Sequence, residues 1–366
     1  STPGLQRERS MLPRETILQT DEGPPVCLLT PCCHRAIIRI LIVDTPTNQL
    51  PSPVPELAKL GSTQSVVDSN TSIDTRQRLC GMIDPNEYRQ RAFVSRPDGC
   101  QIVHGDAQTV LASLPSDTYR CCVTSPPYWG LRDYGTLGQI GSEPSVDEYV
   151  DTLVQVFREV RRVLTPDGTL WLNLGDSYTS GNRAWRDSDR KNPARAMHYR
   201  PPTPKGLKPK DLVGVPWRVA FALQADGWFL RSDIIWHKPN CQPESVKDRP
   251  TRAHEYIFLL SASEKYYYDY DAIKEPGTNP AVCRNRRTVW TVPTQPYAEA
   301  HFATFPPELI EPCVLAGSAA GDQVLDPFFG SGTLGEVCLA KGRRFTGIEI
   351  SEEYVALAKR RLKWED

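Results

Sequence analysis

Two short runs carry residue types and spacings that could do chemistry. The first is Thr124-Ser125-Pro126-Pro127-Tyr128-Trp129, which ends an apolar stretch of strand length. Consecutive prolines fix a stiff, non-helical turn and remove two backbone donors, leaving the Ser125 oxygen and the Pro126 carbonyl as a pair of acceptors. Such a pair suits an amino group. Tyr128 adds a face on which a planar base can stack, at roughly 1–3 kcal/mol per base. The plain alternative is a rigid surface turn carrying a phosphorylatable Ser-Pro. The second run is Phe329-Gly330-Ser331-Gly332-Thr333-Leu334-Gly335, with glycines spaced as Gly-x-Gly-x-x-Gly, and Glu349 follows 19 residues after Gly330. In a nucleotide-binding fold such glycines let the backbone approach a ligand, the helix N-terminus favours an anion, and the acid takes ribose hydroxyls. Taken alone, a turn of this kind is as often purely structural.

The elements around these runs follow the alternation of strands and amphipathic helices that builds parallel sheets. The pattern predicts strands at 101–104, 120–124, 169–174, 229–236, 255–261, 323–325 and 343–350. It predicts helices at 107–114, 146–164, 213–225, 334–341 and 352–362. Only 17 residues follow Glu349, too few to supply the rest of a nucleotide-binding sheet, so the other strands must lie upstream. The chain therefore reads as an α/β, doubly wound, circularly permuted Rossmann-like sheet with helices on both faces, in one domain over 86–366. Asp326, Glu349 and Asp106 are then expected at neighbouring strand ends, around one crevice. Residues 1–85, rich in Pro, Ser, Thr, Asn and Gln, read as a largely disordered or irregular extension, with one apolar stretch from Val26 to Val43.

Composition narrows the class. With 39% hydrophobic residues and 43 Lys+Arg against 44 Asp+Glu, the chain has the balance of a globular protein. Its longest apolar run, Ala36 to Val43, is broken by Arg39 and falls well short of the roughly 18 residues a membrane span requires. No secretory signal is visible. The 11 cysteines contain no Cys-x-x-Cys, which points to reduced thiols in an intracellular protein, cytoplasmic in a bacterium or nuclear in a eukaryote, and to no metal site.

Thr-Ser-Pro-Pro-Tyr-Trp at 124–129 and Asp-Pro-Phe-Phe-Gly-Ser-Gly-Thr at 326–333 together resemble the S-adenosylmethionine-dependent amino-methyltransferases of DNA, in the permuted order called the beta group. The likeness spans about Gln101 to Leu362. His301-Phe-Ala-Thr-Phe-Pro-Pro307 is similar to that family's cofactor-side loop, and Trp236-His-Lys-Pro-Asn240 to the segment beside its base pocket. The resemblance implies S-adenosyl-L-methionine as cofactor, held by Asp326, Phe328, Gly330, Gly332, Thr333 and Phe305, with Glu349 on the ribose and Asp106 on the adenine. It assigns Ser125, Pro126, Pro127 and Tyr128 to catalysis. Ser-Pro-Pro-Tyr is typical of enzymes that methylate cytosine N4, where Asp-Pro-Pro-Tyr or Asn-Pro-Pro-Tyr is typical of adenine N6. The implied activity is a site-specific, cytosine-N4-specific DNA methyltransferase of the kind found with restriction enzymes.

A base inside a duplex is out of reach, so a double-stranded substrate implies a flipped cytosine, at a cost of a few kcal/mol. Cations should supply contacts that offset it. Residues 178–210 hold nine Lys or Arg against two Asp, a net charge of +7, and Arg183, Arg186, Arg190, Lys191 and Arg195 are the expected DNA contacts. Lys238 and a second basic-aromatic cluster, Arg284, Arg286, Arg287 and Trp290, extend them, with a recognition segment at about 276–300. Three other readings stay open: adenine-N6 methylation by the same residues, a non-catalytic nucleic-acid-binding module on the same fold, and a nicotinamide oxidoreductase. A cytosine-C5 enzyme would need Pro-Cys-Gln and a zinc deaminase Pro-Cys-x-x-Cys; both are absent.

Overall fold

The computed structural model describes residues 93–131, 138–179, 201–279, 281–295 and 305–364. The expected N-terminal extension, its 26–43 stretch, Arg183, Arg186, Arg190, Lys191, Arg195, and residues 296–304 lie outside the described residues.

In chain order the elements are β1 (Phe93–Ser95), β2 (Gln101–His104), α1 (Ala107–Ser113), β3 (Tyr119–Thr124), α2 (Val146–Val163), β4 (Leu164–Leu174), α3 (Val215–Ala225), β5 (Phe229–His237) and β6 (His254–Ser261). After a short 3-10 turn come β7 (Glu275–Pro276), β8 (Cys283–Arg284), β9 (Val289–Thr291), α4 (Pro307–Gly317), β10 (Gln323–Asp326), α5 (Thr333–Ala340), β11 (Arg344–Glu349) and α6 (Glu352–Arg361). Nine strands form one sheet in the order β1-β2-β11-β10-β3-β4-β6-β5-β9, and β7 pairs with β8 separately. From β2 to β4 every pairing is parallel, while β6 runs antiparallel between β4 and β5.

This order is the permuted sheet expected from the sequence. β10 and β11, encoded last, occupy the centre between β2 and β3, with Leu325 opposite Cys122 and Glu349 opposite His104. β3 alternates sides, Tyr119 and Cys122 facing one core and Cys121 and Val123 the other. The first core takes Leu111 of α1, Leu153 and Phe157 of α2 and Leu223 of α3; the second takes Leu309 and Val314 of α4, Val337 of α5 and Ala358 of α6. Helices thus cover both faces, as parallel strands buried on both sides require.

The structure departs from the predicted elements at several places. Helix α4 was not expected in a segment with Pro306, Pro307 and Pro312. Pro307 stands in its first turn, where a missing N–H costs nothing, and Pro312 is buried, so packing offsets the one bond it forgoes. α3 begins at Val215 rather than 213, because Gly214 takes φ +77° and Val213 donates its N–H to the Ser177 carbonyl. Strands β1, β7, β8 and β9 are too short for a periodicity to show.

Candidate active site

Because β10 and β3 are parallel neighbours, the glycine loop and the proline tip leave the same edge of the sheet side by side. They are joined directly: the Thr124 hydroxyl donates to Asp326 Oδ1 at 2.6 Å, between two buried groups. The Phe328 N–H donates to the same oxygen at 3.0 Å. Asp326 Oδ2 is buried and has no hydrogen-bond partner. Burial, aided by the nearby Glu349 charge, pushes this carboxyl up to about 7 against the pull of the Thr124 and Phe328 bonds.

The loop after β10 is built on close backbone approach. Gly332 has φ +80° and caps α5, and a Cβ there would stand 3.0 Å from that of Ala358. Phe329 folds its ring onto β11, where a Cβ on Gly347 would lie 2.2 Å from it, so only glycine admits the ring. Glu349 Oε2 accepts the Gly330 N–H at 2.8 Å and Oε1 the Ser351 N–H at 2.9 Å, which ties the end of β11 to the glycine turn. Burial raises the Glu349 pKa, and these backbone donors oppose the rise. From α6, Arg361 Nη1 donates to Ser331 Oγ at 3.0 Å and Thr333 Oγ1 at 2.8 Å, while its Nε donates to Glu336 at 2.7 Å.

Asp106 follows β2 next to Glu349, with the Gly105 N–H bonded to the Glu349 carbonyl at 2.8 Å. Its Oδ1 caps α1, accepting from the Thr109 N–H and hydroxyl, both at 2.9 Å. Asp326, Glu349 and Asp106 therefore stand at three adjacent strand ends, as expected. Phe328 is partly buried against the first core and Phe305 against the second.

On the tip, Pro126 is buried while Ser125, Pro127 and Tyr128 are half-buried. The Pro127 carbonyl accepts the Tyr149 hydroxyl at 2.9 Å. Ser125 Oγ donates to the Tyr128 hydroxyl oxygen at 3.3 Å, and the Tyr128 hydroxyl in turn lies 2.9 Å from Glu255 Oε2 and 3.3 Å from Asn173 Oδ1. Burial drives the Tyr128 phenol well above its usual range, and the Glu255 charge adds to the effect. Glu255 pairs with Lys238, whose Nζ lies 4.0 Å from the Trp236 ring centroid. Sequence reasoning missed Glu255 and Asn173, and it placed Lys238 on DNA. The similarity of 236–240 to a base-pocket segment was the available signal for the last of these.

The described members of the second basic cluster have partners of their own. Arg284 and Arg287 both pair with Glu275, and Arg286 lies over Trp290 with its Cζ 4.7 Å from the ring centroid. Of the 178–210 segment the two described ends are pinned together beyond β4: Thr179 N–H bonds to the Asp211 carbonyl at 2.9 Å and Thr179 Oγ1 to the Lys208 carbonyl at 2.7 Å. Cys121 and Cys122, inside β3, are fully buried, and burial pushes the Cys121 thiol up to about 12.

Comparison with known proteins agrees with this geometry. The type II methyltransferase M.SmaI of Serratia marcescens is 60% identical over 281 residues, covering 76% of this chain and 96% of the relative. M.Cfr9I of Citrobacter freundii is 62% identical over 269 residues, covering 74% and 89%. Among solved structures, the PvuII DNA methyltransferase, described as cytosine-N4-specific, superposes with a TM-score of 0.55 at 22% identity, over 75% of this chain and 90% of that one, a likeness of fold. TTHA0409 of Thermus thermophilus, described as a putative DNA modification methylase and solved with S-adenosyl-L-methionine, gives 0.50 at 29% identity over 71% and 92%. The DNA methylase family profile of N6 and N4 enzymes matches residues 119–360. A permuted sheet that ties a proline-stiffened acceptor tip to a glycine loop is thus matched by close relatives in sequence, and the chain belongs to the N6/N4 DNA methylase family.

Proposed function

We propose that this protein is a type II DNA methyltransferase that uses S-adenosyl-L-methionine to methylate the exocyclic N4 amino group of cytosine, after flipping the base from double-stranded DNA. The observation that carries the reading is the 2.6 Å bond from Thr124 to Asp326, because it fixes the residue before Ser125 against the start of the glycine loop. When bound, the cofactor supplies a methyl group made electrophilic by its sulfonium. The residues fit it: the unpartnered Asp326 Oδ2 suits an ammonium group. Gly330, Gly332, Thr333, Phe328 and Phe305 would contact the cofactor, with Glu349 on the ribose and Asp106 on the adenine.

A cytosine amino nitrogen is a poor nucleophile because its lone pair is delocalised into the ring. Ser125 Oγ and the Pro126 carbonyl would accept its two N–H bonds, favouring pyramidal nitrogen and stabilising the positive charge that develops there. Tyr128 would hold the ring in plane by stacking, leaving the enzyme's task as positioning and electrostatics. No covalent enzyme intermediate is needed: the nitrogen would take the methyl as its bond to sulfur breaks, and the surplus N4 proton would then leave to solvent. The cationic residues of 178–210, rooted at the carboxyl end of β4, are proposed to hold the DNA backbone.

Mass spectrometry of nucleosides from DNA treated with enzyme and S-adenosyl-L-methionine tests this. N4-methylcytosine is expected, and its loss in Ser125→Ala while cofactor binding survives. Predominant N6-methyladenine would overturn the base assignment, and DNA binding without any methylated product would overturn the catalytic reading.

A further inference from the structure

The hydrogen bonds behind the proline tip have a direction. Ser125 donates its only proton to the Tyr128 oxygen, and Tyr128 donates its own to Glu255 Oε2. Asn173 stands beside them, its Oδ1 3.3 Å from the Tyr128 hydroxyl and its amide donating to the Tyr256 carbonyl at 3.0 Å and to Glu255 at 3.4 Å. An ionised carboxylate only accepts, so it sets the polarity of the whole chain. Lys238 pairs with Glu255 on its other oxygen, with both side chains less than one-fifth exposed (17% and 18%). Room for the arrangement comes from Gly175, where a Cβ would lie 2.5 Å from Tyr128 Cε2 and 3.3 Å from Glu255 Cδ.

We propose that Glu255 and Lys238 are a positioning pair that orients the Tyr128 phenol and thereby makes Ser125 an obligate hydrogen-bond acceptor toward the substrate amino group. The inference rests on the methyltransferase reading and deepens it. A serine hydroxyl can equally donate, and a donor aimed at an amino nitrogen would occupy the very lone pair that must react. With the Ser125 proton committed to Tyr128, only oxygen lone pairs face the base. Glu255 itself does not touch the substrate. It acts through Tyr128, and Lys238 acts through Glu255. Lys238, expected from sequence to meet DNA, is thereby assigned to the wall of the site.

The test is a double-mutant cycle on the full chain, using single-turnover and steady-state methylation of a duplex carrying the target site. Tyr128→Phe and Glu255→Gln are each expected to lower kcat by about tenfold or more, the scale of one lost hydrogen bond to a charged group. KM for DNA, cofactor affinity and melting temperature should change little. The double variant should be no slower than the slower single variant, because both break one chain of bonds. Lys238→Arg should retain most activity and Lys238→Met should lose it. Full kcat in Glu255→Gln, additive losses in the cycle, or a Lys238→Met effect confined to KM and salt dependence would each overturn the proposal. A wild-type protein that makes no methylated nucleoside would instead overturn the underlying reading.

Discussion

A carboxylate at 1% exposure with one oxygen unpartnered, as Asp326 has, destabilises the fold unless it is protonated or met by a cation. Its folded pKa of about 7 stands above the roughly 3.9 of a free aspartate, so the protonated form suits the fold better. The stability it contributes is complete below about pH 4 and is lost as pH rises from there through about 7. Binding a ligand ammonium requires the ionised form and therefore runs the opposite way. In calorimetric titration, affinity for S-adenosyl-L-methionine should rise about fivefold between about pH 6 and about pH 7, because the ionised fraction grows by that factor. Asp326→Asn should bind weakly with no such step. Affinity equal at the two values in the wild type would place the ammonium elsewhere.

At the scale of elements, the glycine loop depends on a helix that reaches it from the end of the chain. Arg361, with a side chain 10% exposed, donates to Ser331, Thr333 and Glu336 and so clamps the loop to the first turn of α5. Removing a charged donor that satisfies buried hydroxyls costs about 1.5–3 kcal/mol. Arg361→Ala should therefore lower the melting temperature by several degrees, at about 2–4 °C per kcal/mol. It should also weaken cofactor binding about tenfold, measured by calorimetry, while leaving duplex affinity unchanged. An unaltered cofactor affinity would mean that the loop holds its shape without the clamp. Such pairings mark where the sequence stopped being legible. The two runs at 124–129 and 326–333 could be read because their prolines and glycines dictate backbone shape locally. The permuted order could be read because the glycine run at 326–333 follows the proline run at 124–129 in the chain. Glu255 and Asn173 gave no local sign: they meet Tyr128 only because β4 and β6 pair with Asn173 opposite Ile257, a register set by the core on both faces. Lys238, Arg284 and Arg287 look like free cations until Glu255 and Glu275 are seen beside them. Helix α4 was hidden by its prolines, which local rules count as breaks until burial overrides them.

The permutation itself is open to test at the scale of the whole sheet. β10 and β11 form the centre of the sheet although they are encoded last, and β2, their next neighbour, lies near the start of the described chain. The two ends of this body meet in space: Arg96, just after β1, lies over the ring of Trp364, just after α6, with its Cζ 5.6 Å from the centroid. Joining them should cost little, since loop closure grows only by about 0.6 kcal/mol for each doubling of loop length. A rearranged chain carrying 305–364 first, then a flexible linker of about ten residues, then 93–295, would encode β10 and β11 ahead of β1, β2 and β3. Every pairing of the nine-stranded sheet would be preserved in it, and the bond from Thr124 to Asp326 would span fewer residues than the 202 it now spans. Such a chain should melt in one cooperative transition, bind S-adenosyl-L-methionine with affinity within a few-fold of the parent, and retain methylation of the same target. A chain that folded but no longer bound cofactor would show that the connection between 295 and 305 shapes the site directly. One that failed to fold would show that the strand order tolerates only the present entry point of the chain.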